Sequence, residues 1–478
     1  MPELVLFNTL GRKLTPFTPI EPGVAKMYTC GPTVYNDIHI GNLRTFAFED
    51  LLRRTLRYLG YRVVQVMNVT DVDDKTIQGA HKAGVSLDEY TAPFIASFLR
   101  DLDALHIERA EHYPRATHHI PDIVALIARL VERGYAYESD GSVFFSIARD
   151  ANYGNLSGFD LAQVRRGERV AADEYGKEDV RDFVLWKGVK PGEPAWESPW
   201  GPGRPGWHVE CSAMSMKYLG ESFDLHCGGV DLIFPHHENE IAQSEAATGH
   251  PFVRTWVHGE HLIVDGQKMA KSLGNQYTLK DLVDRSTSPR AIRYLLLSVH
   301  YRQKLNFTFE SLDGAAGALR RVDEMRFRVA HAPEDPARTE TEAGLAETLA
   351  KLPRDFGSAV ADDLNIAAAL AAVFVFVKEV NVAVEERRLG IGDKDRIAAA
   401  LADVDRVLGV LDPAAWPATG AAAAAGDTEE EEIERLIEQR KAARQRRDFA
   451  ASDRIRDELA GRGIVLEDTP QGTRWKRR

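Results

Sequence analysis

Apolar and polar positions alternate in blocks that divide the chain into recognisable elements. The run VAKMYT at 24–29 reads as a short buried strand, and a Gly/Pro/Asn/Asp loop follows it, GPTVYNDIHIGN. Phe48, Leu51, Leu52, Leu56 and Leu59 then fall on one helical face, with Gly60 as the stop. The β-branched segment YRVVQVMNV from Tyr61 predicts a second strand. Strand, loop, helix, strand is a βαβ unit, and such loops carry the ligand site of open α/β sheets. Residues 117–134 have helical spacing and 141–147 strand spacing, whereas 150–207 is Gly/Pro/Trp-rich with weak periodicity and reads as an ordered loop region. A second α/β segment runs from about 222 to 300.

Beyond about 305 the pattern becomes Ala/Leu/Val-rich and helical as far as about 411, with no repeat at a fixed period. An Ala/Gly/Pro linker and a separate module after about 429 end the chain. The expected fold is a Rossmann-type parallel sheet over 1–117 and 208–300, with a connective insertion at 118–207. A helical bundle at 301–411, a linker at 412–428 and a C-terminal module at 429–478 complete it. With 478 residues, several domains are expected at about 150 residues each.

Composition narrows the function. With 44% hydrophobic and 28% charged residues, a disordered, fibrous or membrane-spanning chain is excluded. The longest apolar stretch, 366–377, falls short of the ~20 residues of a spanning helix. The opening MPELVLFNTLGRKLTPF lacks a signal peptide's apolar core, and only three cysteines are present, so a reducing cytoplasm is expected and a disulfide framework is not. The net charge of −12 argues against nucleic acid until it is localised. From Ile433 onward, 13 Lys/Arg face 8 Asp/Glu. Arg440, Lys441, Arg444, Arg446 and Arg447 cluster there, and the chain ends Trp475-Lys476-Arg477-Arg478. Charge alone leaves that cluster a solvated helix face; a polyanion footprint is the functional alternative.

Two constellations carry chemistry. Glu240 lies four residues after His236 in PHHENE, so on a helix both point one way. Cys30 follows the first strand and Cys211 sits in WHVECSAM. Two thiolates, an imidazole and a carboxylate suit zinc, with His237 as an alternative to His236 and Cys227 as a packed bystander. The second constellation is His39-Ile40-Gly41-Asn42, between strand and helix, together with Lys268 and Lys271 in KMAKSLGN after the strand at 262–264. Free helix-end amides attract phosphate, Gly41 permits close approach, and the lysines can neutralise a leaving phosphate.

GPTVYNDIHIGN, NVTDVDDK, GRPGWHVECSAM, FPHHENEIAQ and KMAKSLGN, in this order, resemble the bacterial cysteinyl-tRNA synthetases of class I, and the resemblance runs end to end. HIGN and KMAKS look like the HIGH and KMSKS signatures of the class. The resemblance implies zinc on Cys30, Cys211, His236 and Glu240, cysteine contacts at Thr70 and Trp207, and ATP contacts at His39, Gly41, Asn42 and Lys271. His39, Asn42, Lys268 and Lys271 would act in catalysis. It further implies L-cysteine, Mg-ATP and tRNA-Cys as substrates, tRNA binding by the helical region, an anticodon-recognising C-terminal module and a monomer. Two departures stand out. Ala270 replaces the serine of KMSKS, and Cys227 replaces a glycine of HGGG. A cysteine ligase acting on an amino sugar of the mycothiol pathway would lack the C-terminal regions. A catalytically inactive RNA-binding paralogue leaves the intact lysines and metal ligands unexplained.

Overall fold

The computed structural model describes residues 2–158, 181–416, 428–445, 448–469 and 472–477. Residues 159–180 of the expected insertion, 417–427 of the linker, and Arg446, Arg447 and Arg478 lie outside the described residues. The chain opens with an antiparallel hairpin, β1 (Val5–Asn8) and β2 (Lys13–Pro16). Then come β3 (Val24–Thr29), α1 (Ile40–Tyr58), β4 (Arg62–Met67), α2 (Asp74–Ala83) and α3 (Leu87–Ala104). The βαβ unit expected from the sequence is present, although α1 begins earlier than its apolar face suggested: His39 caps it, so Gly41 and Asn42 lie in its first turn.

The insertion is more ordered than its sequence advertises. After α4 (Ile120–Glu132), strands β5 (Ala136–Ser139), β6 (Ser142–Phe145), β7 (Phe183–Gly188) and β8 (Gly203–Pro205) form a four-stranded antiparallel sheet. The loop expected over 150–207 therefore holds two strands. β7 is buried along Phe183–Trp186, which erases the alternation that marks a half-exposed strand, and β8 is three residues of Gly, Arg and Pro.

Next come α5 (Trp207–Leu219), β9 (Phe223–Gly229), α6 (Glu238–Thr248) and β10 (Val253–Gly259). β10, β9, β3 and β4 lie side by side in that order, all parallel, which aligns their carboxyl ends along one edge. Every residue of β9 is buried, as a central strand covered on both faces requires. The insertion shares its core with two helices of this domain. Ile123, Ile127 and Leu130 of α4 and Phe145 and Trp186 of the antiparallel sheet pack with Val209 and Ala213 of α5 and Ala242 and Ala246 of α6.

β11 (Leu262–Val264) and β12 (Gln267–Lys268) then form a small sheet with β13 (Leu305–Phe307), and α7 (Leu279–Val283) and α8 (Pro289–Leu297) intervene. α8 pins α1. Arg293 meets Asp50 at 2.6 Å with both side chains fully buried, and its other donors reach the carbonyls of Leu105, His106 and Leu408. The guanidinium beside it, with that of Arg54, holds the Asp50 carboxyl below its ordinary range although burial pushes the other way.

The helical region is α9 (Phe309–His331), α10 (Ala343–Ala361), α11 (Ile366–Glu385) and α12 (Asp393–Leu408). The apolar stretch that looked short at 12 residues belongs to the 20-residue α11, which is long and apolar enough to cross a membrane by length and composition. In this fold it packs on α9 and α10 through Leu370, Val373, Phe376, Val377 and Val380.

Residues 414–478 form a second compact unit. α13 (Thr428–Gln445), α14 (Phe449–Gly461) and the hairpin of β14 (Ile464–Thr469) and β15 (Gly472–Arg477) enclose Ile433, Leu436, Ile437, Leu459 and Ile464. Arg440 is buried here, so it leaves the exposed basic cluster to which its position assigned it, while Lys441 and Arg444 remain exposed.

Candidate active site

The expected metal ligands meet at the carboxyl edge of the parallel sheet. Cys30 follows β3, Cys211 lies one turn into α5, His236 sits in the turn before α6, and Glu240 in the first turn of α6. Their ligand atoms all lie within 4.8 Å of one another, and all four residues are buried. A second group overlaps the first: Cys30, His226, His237 and Glu240 satisfy the same distances.

Hydrogen bonds give the members of the two groups different tasks. His226 Nε2 meets Glu240 Oε2 at 2.9 Å, leaving Oε1 toward His236 Nε2 at 3.1 Å. His237 Nε2 contacts Cys30 Sγ at 3.3 Å, its Nδ1 meets His258 Nε2 at 2.8 Å, and His258 Nδ1 meets Thr9 Oγ1 at 2.7 Å. Burial, with the neighbouring imidazoles, holds His237 well below its ordinary pKa and His258 down at about 3, so both rings are neutral. Each neutral ring donates through one nitrogen and accepts through the other, so Thr9, His258, His237 and Cys30 form one relay.

Charge is concentrated on the first group. Burial lifts the Cys211 thiol, but the hydrogen bond from Cys30 and the imidazole of His236 bring it down to about 6. Burial lifts Glu240 as well, yet His226 and His236 hold it at about 2. Burial lowers His236, and Glu240 and Cys211 overcome this to raise it to about 10. A buried positive imidazole between two anions is the electrostatic pattern of a cation's place.

Around this cluster stand the expected amino-acid contacts. The Trp207 ring stacks on His236 at 4.2 Å between centroids and is 39% exposed, an aromatic left open at the mouth of a buried site. Thr70 lies just beyond the end of β4, buried and bonded to Glu210. Cys227 is a regular residue of β9, paired with Thr29 and Val257, and fully buried. The strand therefore absorbs this departure without distortion. Its neighbour Gly228 has no such latitude, because a Cβ there would lie 2.9 Å from the His237 ring.

The nucleotide signatures also come together. His39 Nδ1 accepts from the Asn42 amide at 3.3 Å while Asn42 Oδ1 accepts from the His39 amide at 3.2 Å, a reciprocal cap. Burial and the charge of Lys271 lower the His39 pKa, consistent with a neutral ring. A Cβ on Gly41 would lie 2.8 Å from Met269 Cε, so the lysine-bearing loop rests against the first turn of α1. Lys268 ends β12 and Lys271 opens the short turn Lys271–Leu273, both exposed. Asn275 straps this loop by accepting from the Ala270 amide at 2.8 Å and donating to the Lys268 carbonyl at 3.3 Å. Since residue 270 contributes only its amide to the strap, alanine serves there.

Sequence reasoning missed His208, His226, His258, Asn68 and Glu210. For four of them the signal was placement in or beside a motif already singled out, His226 before Cys227, His208 after Trp207, Glu210 before Cys211 and Asn68 within NVTD; His258 had no such signal.

Comparison with known proteins agrees with this geometry. The tRNA synthetases class I (C) catalytic domain matches residues 16–317, the DALR domain 355–412, and the cysteinyl-tRNA ligase anticodon binding domain 428–475. A cysteine–tRNA ligase of Solibacter usitatus is 48% identical, covering 99% of this chain and 100% of the relative. One from Chlamydia trachomatis serovar A is 46% identical over the same shares. Among solved structures, Mycobacterium tuberculosis methionyl-tRNA synthetase in complex with methionyl-adenylate shares the fold at a TM-score of 0.57 and 18% identity, covering 81% of this chain and 90% of that one. A parallel sheet with both signatures and a Cys/His/Glu cluster at its carboxyl edge, matched at this identity over its whole length, places the chain in the class I cysteine–tRNA ligase family.

Proposed function

We propose that the chain activates L-cysteine with Mg-ATP to cysteinyl-adenylate and pyrophosphate, then transfers the cysteinyl group to the 3′-terminal adenosine of tRNA-Cys with release of AMP. The observation that carries this reading is the buried Cys/His/Glu cluster opening beneath Trp207 in a class I catalytic domain. In this reading Cys30, Cys211, His236 and Glu240 hold one zinc ion, and the donor set fits it: two sulfurs, one imidazole and one carboxylate, buried and mutually close. This group is preferred to the overlapping one because His226 and His237 are already engaged, one orienting Glu240 and the other bonded between Cys30 and His258. When bound, zinc supplies a position that prefers a thiolate to a hydroxyl.

The chain's own residues account for the remaining requirements. Trp207 packs beside His236 and limits the size of the side chain admitted. The substrate carboxylate is already nucleophilic at pH 7, so no general base is needed; catalysis is positioning and charge stabilisation. His39, Gly41 and Asn42 at the amino end of α1 face the phosphates, and Lys268 and Lys271 act on the leaving pyrophosphate. A pocket that reads shape alone separates substrates differing by one group about 10–200-fold. A discrimination of ~10⁴ against serine needs about 5.5 kcal/mol, within reach of a metal–thiolate bond. The helical region at 301–411 and the module at 429–478, beyond a linker at 412–428, would bind the tRNA body and anticodon. The catalytic parts would be 1–117 and 208–300 with the insertion at 118–207. The protein would work as a cytoplasmic monomer.

The test is cysteine-dependent ATP–pyrophosphate exchange and charging of tRNA-Cys transcript on a sample whose zinc content is measured. One zinc per chain, exchange with cysteine and loss of the preference over serine on zinc removal are expected. Undiminished preference in stripped enzyme would refute the zinc reading, and exchange without tRNA charging would favour transfer to another acceptor.

A further inference from the structure

The two expected cysteine contacts stand on different parts of the catalytic body. Thr70 lies just past β4 of the parallel sheet, whereas Trp207 follows β8, the last strand of the insertion. A metal that accepts sulfur cannot tell cysteine from a thiol amino acid one methylene longer, because both present the same ligand atom. Rejection of the longer chain must come from the spacing of these two walls, and a fixed space is worth about 10–200-fold for one methylene. The limbs that carry the walls are stiff. The Gly31 amide donates to Asn68 Oδ1 at 2.9 Å, which turns Asn68 Nδ2 to the Thr70 hydroxyl at 3.2 Å. Asp71 is held by Arg115 at 2.8 Å, and Asp73 caps α2, which begins at Asp74. On the other limb Pro205 pairs with Trp186, and the Gly206 amide donates to the Leu185 carbonyl at 2.9 Å. A Cβ on Gly206 would lie 2.2 Å from the Val184 carbonyl oxygen, so the backbone before Trp207 lies directly against β7.

The two limbs are joined at one carboxylate. Arg204 of β8 and Lys187 of β7 are cross-strand partners, two cations side by side that repel unless an anion is shared between them. Asp74 is that anion: its Oδ2 takes the Lys187 ammonium at 3.1 Å and its Oδ1 the Arg204 guanidinium, whose Nε reaches Glu193 at 3.0 Å. Arg204 is buried, so its charge has left water and depends on these two carboxylates. Partial burial pushes the Asp74 carboxyl up, but Lys187 and Arg204 bring it below its ordinary range, so it is ionised at neutral pH. Asp74 stands four residues from Thr70, and Arg204 three residues from Trp207.

We propose that Asp74, Lys187 and Arg204 form a latch that sets the separation of Thr70 and Trp207, and that this spacing, not the metal, excludes thiol amino acids longer than cysteine. The three are positioning residues that act through the two walls, and the inference rests on the reading of Thr70 and Trp207 as cysteine contacts. Selectivity is then divided: the metal cluster reads the sulfur, and the latch reads the length of the chain that bears it. α2 also meets the insertion where His81 Nε2 lies 2.5 Å from the Gly192 carbonyl and where Trp196 packs on the cluster of Val72 and Ile77. Loss of the latch therefore loosens the gap without detaching the insertion.

The experiment compares the zinc-loaded enzyme with its Asp74→Asn and Lys187→Met variants, zinc content being measured on each. L-cysteine is the substrate in ATP–pyrophosphate exchange, well below the thermal midpoint, and L-homocysteine and L-serine are titrated as inhibitors. In Asp74→Asn the ratio of the homocysteine inhibition constant to the cysteine KM is expected to fall at least about fivefold, as the discrimination against one methylene is lost. The same ratio for serine, the zinc content and the KM for ATP should stay within about twofold. Lys187→Met should shift the homocysteine ratio in the same direction, and the double variant no further than Asp74→Asn. A homocysteine ratio that stays unchanged or rises overturns the proposal. So does an equal fall for serine, which would locate the effect at the metal cluster. Should Asp74→Asn lose zinc or fail to fold, Lys187→Met decides by the same ratio. Absence of cysteine-dependent exchange in the unaltered enzyme would instead overturn the ligase reading on which this rests.

Discussion

The metal-ligand cluster and the lysine-bearing loop are built on opposite physical terms. Every member of the cluster is buried, its ligand atoms lie within reach of one another, and its supports come from β3, β9, β10, α5 and α6. The loop from Lys268 to Gly274 is exposed, and its main internal tie is the Asn275 strap. In the proposed mechanism one region would discriminate and must not yield, while the other would follow phosphates through a reaction and must. Burial and hydrogen bonding are concentrated where selection is proposed, while the loop keeps two cations in water, where a nucleotide could draw them in.

The contrast can be broken first at Glu240. Replacing it with alanine leaves His226 and His236 without their shared anion, so zinc content should fall below stoichiometry and cysteine-dependent exchange by more than about 100-fold. Metal analysis beside the kinetic assay checks both; a full zinc complement would show that the cluster does not depend on this carboxylate. Lys271→Ala tests the other side. Exchange should fall by about 100-fold, as when one stabilising donor is removed, with zinc content and thermal midpoint unmoved. A large fall in midpoint would mean that the loop is structural after all. Intermediate between them is Gly41→Ala, whose methyl would press on Met269 and the His39 ring; the KM for ATP should rise by about tenfold while cysteine affinity holds. The smallest effect is expected for Ala270→Ser, a change at a half-exposed position that is held through its backbone, the amide by Asn275 and the carbonyl by Leu273. Exchange rates should stay within about twofold.

Much of this was legible before any coordinates. The strand VAKMYT spans the residues its apolar run marked, and the metal set was assembled from spacing and residue type together with a resemblance. The strands of the insertion escaped because Phe183–Trp186 is buried on both faces and so carries no period of two. The supporting histidines escaped for a different reason. His208, His226 and His258 lie on three elements that only the tertiary fold brings together, and a lone histidine in sequence is ordinary. Asn68 and Glu210 sat in full view within NVTD and HVEC, yet their pairing depends on β4 and α5 meeting in space. Arg440 shows the converse failure, since a charge run implies exposure and this member turns inward.

The spread of the ligands along the chain also sets a schedule. Cys30 and Glu240 are separated by 210 residues, with the whole insertion threaded between them. Closing so long a loop is slow, and nothing rewards it until the distant halves of the parallel sheet have paired. On a translating ribosome Cys30 waits while the sheet's later strands and α6 are still being made, so a metal held by the four proposed ligands would be captured late in synthesis. Loading would then report on folding itself: a chain whose insertion had packed wrongly would present no complete set of ligands. The same cluster that would tell cysteine from serine would thus also tell a finished catalytic body from an unfinished one.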